Sequence, residues 1–117
     1  MEKEQKIFSL LEDIKSLEDN WDEDGAKKPS RMAIQNSQYL IQLLSKRGIE
    51  IYHIAPGPIG EIMIDLRNER NSSLEILFYE NRSKFVKFPI AGNPEQGEFK
   101  IEDLPTLIKW LQIDYAS

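Results

Sequence analysis

The hydrophobic period of this chain changes at Ile49, and that change constrains the fold more than any other feature. Before it, apolar residues recur every three or four positions; from it to residue 88 they alternate. Ile7, Leu10, Leu11, Ile14, Leu17 and Trp21 form one stripe and predict a helix over 3–19, with most of its charges on a solvated face. Ala33, Ile34, Ser37, Leu40, Ile41 and Leu44 form a second stripe and predict a helix over 31–46. Ser30 is placed to cap its start, and Ser45-Lys46-Arg47-Gly48 to end it with cations and a glycine.

From Ile49 the pattern is that of strands. Ile49, Ile51 and His53 alternate with Glu50, Tyr52 and Ile54, and Ala55–Gly60 is a turn. In 61–67, Ile62, Ile64 and Leu66 face one way and Glu61, Met63, Asp65 and Arg67 the other. In 74–79, Leu74, Ile76 and Phe78 face the core. Asn81 suits a tight hairpin turn over 80–83, and 84–88 is a fourth strand. Short connections make strands two to four a meander. Residues 89–100, broken by Gly92-Asn93-Pro94 and Gly97, read as a loop; a last helix starts near Asp103, an N-cap, and buries Leu104, Leu107, Ile108 and Leu111. The expected order is α-α-β-β-β-β-α: a single α+β domain over 1–117, an antiparallel four-stranded sheet with helices on one face.

Composition narrows the chemistry. There is no cysteine, so thiol nucleophiles, disulfides and cysteine metal sites are excluded, and one histidine argues against a catalytic zinc. A net charge of −5 argues against a nucleic-acid partner, since the only tight basic cluster is Lys27-Lys28 with Arg31. No apolar run approaches the ~20 residues of a spanning helix. The charged start, Met1 to Lys6, lacks the apolar core of a signal peptide, so a cytoplasmic location is expected.

The densest run of unusual residues is 20–31, with Asn20, Trp21, Asp22, Glu23, Asp24, Gly25 and Pro29. Asn20, Asp22, Asp24 and Gly25 fall at positions 1, 3, 5 and 6 of a calcium loop. Position twelve, which should be glutamate, is Arg31, and Pro29 breaks the path of such a loop. Its polar residues instead suit the capping of helix ends and turns, balanced by Lys27, Lys28 and Arg31, and a partner-binding role for Trp21, Asp22 and Asp24 is the further option. Gly57-Pro58-Ile59-Gly60 matches a nucleic-acid clamp in letters only, because Pro58 has no amide and Glu61 follows. His53 has no nucleophile motif beside it. Glu61 and Asp65 stand roughly 13 Å apart along one strand, too far for a glycosidase pair. No phosphate or dinucleotide fingerprint is present, so no cofactor is expected.

The back of the sheet remains. Met63, Leu77 and Tyr79, with Val86 or Tyr52 beside them, point away from the expected helices and form a mixed patch among Glu61, Asp65, Arg67 and Glu75. This face, or an edge strand, is the expected surface for a protein partner or a second copy.

Asn20-Trp21-Asp22, Gly25-Ala26, Pro29-Ser30 and Ala33-Ile34 after a leucine-rich helix resemble a family of small uncharacterised bacterial and phage-borne proteins carrying an N-W-D-G-x-G-A-x-P-x-S type segment. Gly60–Asp65, Gly97-Glu98-Phe99 and Leu107–Leu111 are also similar; Glu23 stands where that segment carries glycine, and Asp65-Leu66-Arg67 where a Glu-Trp pair is commoner. The resemblance implies no activity. It implies an accessory protein of antitoxin or immunity type beside mobile or toxin loci. The sequence therefore reads as a non-enzymatic protein-interaction module; the alternatives are a small hydrolase or small-molecule binder using 20–31, and a calcium loop there.

Overall fold

The computed structural model describes residues 2–45, 47 and 49–116. Helices α1 (Glu2–Lys15) and α2 (Arg31–Ser45) precede strands β1 (Glu50–Pro56), β2 (Ile62–Arg67), β3 (Ser73–Phe78), β4 (Ser83–Phe88) and β5 (Glu95–Phe99). A 3-10 turn at Ile101–Asp103 leads into α3 (Leu104–Ala116). The strands form one antiparallel sheet in chain order, β1-β2-β3-β4-β5, so the class is α+β.

The expected four-stranded sheet is corrected to five. Glu95–Phe99 has almost no apolar alternation, yet it forms a ladder with β4 from Glu95–Lys87 to Phe99–Ser83. Two tertiary effects supply what the sequence lacks. The edge of β4 presents backbone groups that need partners, and the Phe99 ring packs 6.3 Å from both Phe78 and Phe85.

The core follows from the alternation in β2 and β3. Ile62, Ile64, Leu66, Leu74, Ile76 and Phe78 are all fully buried, in direct register across the strand pair. Each such side chain contributes roughly 1.5–3 kcal/mol over leaving it exposed. They join Leu11 and Ile14 of α1, Ala33, Leu40, Ile41 and Leu44 of α2, and Leu104, Leu107, Ile108 and Leu111 of α3 in one cluster.

Ser30 caps α2 as expected, its Oγ accepting the Ala33 amide at 3.0 Å. Helix α1 is shorter than its stripe: the Ser16 hydroxyl takes the Asp13 carbonyl, and Leu17 N–H closes a tighter turn on Ile14. Leu10, placed by its spacing on the buried stripe, is 36% exposed. The ending expected at Lys46 and Gly48 lies outside the described residues. Helix α3 starts at Leu104, directly after Asp103, which is also the last residue of the 3-10 turn; the N-cap of that turn, Lys100, makes no side-chain cap.

In β1 the ladder slips between Ile51 and His53, leaving Tyr52 as a bulge. The slip inverts the expected phase. Ile54 is buried and His53 is exposed opposite Asp65, whereas simple alternation puts His53 with Ile51. In β4, Lys87 lies on the core side beside Phe85. Its ammonium is 5.4 Å from the Phe85 ring, 5.2 Å from the Trp110 ring and 3.9 Å from Glu95, so a lysine ties α3 to the sheet.

Candidate interaction surface

Two regions compete for a functional role: the acidic loop and the back of the sheet. The loop is held together by its own hydrogen bonds. Asp22 Oδ1 accepts the amides of Asp24 at 2.9 Å and Ala26 at 3.0 Å, and Asn20 Oδ1 accepts that of Gly25 at 2.7 Å. Asp19 Oδ1 accepts the Lys28 amide, and the Trp21 indole N–H donates to the Lys27 carbonyl at 2.9 Å. The amides on Asp22, Ala26 first and Asp24 second, hold its carboxyl below the usual carboxylate value. Asp24 enters the network through its backbone N–H.

The loop then docks on the turn between β1 and β2. Lys27 N–H donates to Pro58 O and Ser30 N–H to Gly60 O. Gly60 is required there, with φ 88° and a Lys28 carbonyl 3.2 Å from where a Cβ would stand. The Gly57–Gly60 run is thus a docking platform for the loop. Glu61 is turned into it, with Oε1 accepting the Ile59 amide, and lies just before β2 rather than on its solvated side. The Asn20 and Asp22 oxygens that a calcium loop would present are directed at the loop's own amides. Among the described residues, no group of three or more His, Asp or Glu side chains is placed to hold a metal ion.

The back of the sheet is built differently. Ladder register sorts its side chains into rows across the strands. One row runs Ala55, Met63, Leu77, Lys84, Glu98; the next runs His53, Asp65, Glu75, Val86, Gln96. Met63 and Leu77 are therefore direct cross-strand partners, and Tyr79 follows Leu77 two positions along. Met63, Leu77, Tyr79 and Val86 are all half-buried, each shielded only in part by its neighbours. The Tyr79 ring carries two cations, Arg82 at 4.9 Å and Lys84 at 5.7 Å. A groove of about 470 Å³ runs over Leu77, Tyr79, Lys84, Val86, Gln96 and Glu98.

No protein family, curated protein or solved structure matches this chain.

The fold gathers Met63, Leu77 and Tyr79 on one face and leaves Trp21, Asp22 and Asp24 outside the groove, in the docked loop. Beyond Val86, sequence reasoning missed the rest of the groove. Lys84 was readable, because Phe85 facing inward turns its neighbours outward; Gln96 and Glu98 were not, because their strand had no pattern. The face also holds Asp65 and Glu75 directly opposite each other, an arrangement that costs stability. Arg67 answers Asp65 at 3.2 Å and lays its guanidinium 3.4 Å from the centre of the Tyr52 ring, so the bulge re-aims an aromatic onto this face. Tyr52 and Arg67 border a second groove of about 560 Å³, with Arg47, Asn68 and Gln112. Among the described residues, no helix is long and apolar enough to cross a membrane.

Proposed function

We infer that this chain works by binding another protein on the back of its sheet, and not by catalysis. The observation that carries this is the Met63–Leu77 pair, flanked by Tyr79 and Val86, at the centre of a face bordered by Lys84, Arg82 and Glu98. An apolar centre with an aromatic anchor and a charged rim is the anatomy of a protein interface. All three helices contribute to the core cluster on the other side of the sheet, which supports helices packed on one face. The N-W-D resemblance extends the reading to an accessory protein of antitoxin or immunity type, which acts in the cytoplasm by occupying a partner's surface. The alternative, a hydrolase or small-molecule site on 20–31, has less support, because Asp22 Oδ1 and Asn20 Oδ1 already accept the loop's own amides.

The test is affinity capture from native cells with the wild type and Leu77→Lys in parallel. A partner held by the wild type and released by the variant, at unchanged circular dichroism, is the expected result. Equal retention by both sinks the reading.

A further inference from the structure

The sheet has two edges, and they are finished differently. β1 carries the Tyr52 bulge, ends in Pro56 and lies against α1. Bulges, prolines and covering elements are the devices that stop an edge strand from recruiting another. β5 has no bulge and no internal proline, and its ladder to β4 is unbroken from Glu95 to Phe99. Among the described residues, no strand pairs with its outer side. Charge is the remaining safeguard, and on β5 each acid has a cation beside it from within the chain. Glu95 is 3.9 Å from Lys87, and Glu98 is 3.8 Å from Arg82. Such pairs add little stability, but they remove the repulsion that would keep a second acidic strand away.

We propose that β5 pairs antiparallel with β5 of a second copy of this chain, about a twofold axis at Gly97. In that register Gly97 meets its own counterpart, Gln96 faces Glu98 and Glu95 faces Phe99. It is the register that pairs all five residues, and it sets no acid opposite another. Sliding by one residue toward the N-terminus puts Glu95 opposite Glu98; centring on Glu98 sets that acid against itself. Gly97 at the axis has no side chain on either copy, so the backbones meet unobstructed; on its own side a Cβ would press to 3.2 Å on the Phe85 ring. The axis stands perpendicular to the sheet, so the helices of both copies lie on the same side. The two rows through Met63, Leu77, Lys84 and Glu98 then run into one continuous face. The dimer thus goes beyond the binding reading: it uses the edge and leaves the face free.

The absence of cysteine gives a clean test. Gln96→Cys and Glu98→Cys chains are purified separately, mixed, and oxidised in a glutathione buffer. Residues directly opposite lie within disulfide reach, whereas two copies of Gln96 stand roughly 8 Å apart in this register, beyond it. The expected result is a mixed disulfide dimer in clear excess over its statistical share, with the same excess when both chains also carry Leu77→Lys. A statistical mixture, or a preference for either self-disulfide, overturns the register. Loss of the excess with Leu77→Lys places the contact on the face and overturns the edge assignment. So does a wild type that stays monomeric by sedimentation equilibrium at several hundred micromolar.

Discussion

The acidic loop and the sheet back reverse the roles their compositions suggest. The loop has the richer chemistry: acids, a tryptophan, a glycine and a proline within twelve residues. Yet one side-chain oxygen each of Asp19, Asn20 and Asp22 accepts a backbone amide, and the indole is tied to Lys27. The sheet back is an ordinary alternation of strand residues. Yet it keeps half-buried Met63, Leu77 and Tyr79 beside two like charges in register. A polar group that already has a partner serves the fold, and one left open is free for another molecule.

Substitutions can break or sharpen this contrast. The largest effect is expected in the loop. Trp21→Ala removes the indole bond to Lys27 and half-buried ring packing, and should cost about 2 kcal/mol in urea unfolding. Leu77→Lys, on the open face, should cost less than about 1 kcal/mol. A reversal of that order breaks the comparison. Next is Ser37→Ala. Ser37 is fully buried in α2, and its hydroxyl has no hydrogen-bond partner; removing it should raise stability by about 1 kcal/mol in the same assay. An unchanged or lower midpoint means the hydroxyl has a partner after all.

Glu23→Gly is smaller. Glu23 holds φ at 63° in the loop turn, where a side chain is strained and glycine is not. A gain of about 0.5 kcal/mol or more is expected, reduced by the added freedom of the unfolded chain. The smallest effect concerns acid. The Asp22 carboxyl titrates below its ordinary 3.8 in the folded chain, so its ionised form stabilises the fold above that pH. The contribution is lost as pH falls through the lower folded value. Asp22→Asn keeps an acceptor oxygen but not the titration. It should flatten the acid limb of a melting-temperature profile, and an unaltered limb would show that the loop network does not depend on this charge.

Much of this was legible in the sequence where a rule is local. Ile62-Met63-Ile64 and Leu74-Glu75-Ile76 could only place one set of side chains inward, so the outward position of Met63 and Leu77 followed from alternation alone. Ser30 before Arg31 was legible as a cap for the same reason. His53 was not, because a bulge depends on how β1 must bend against β2, and one extra residue turns every later side chain over. Lys87 was not, because an inward lysine is acceptable only where Phe85, Trp110 and Glu95 meet it. Asp22 looked like a site residue because a sequence shows a carboxylate but not the amides it will meet.

The chain by itself determined an α+β class, the two buried stripes of its first helices and the two faces of its central strands, since hydrophobic period is a property of neighbours a few residues apart. Tertiary structure alone decided that Glu95–Phe99 is a strand, that Tyr52 bulges, and that the acidic loop closes on the turn at Pro58–Gly60. Each of these depends on groups far away in the chain, which no local pattern records: an edge with bonds to fill, a sheet that must bend, a carbonyl awaiting an amide.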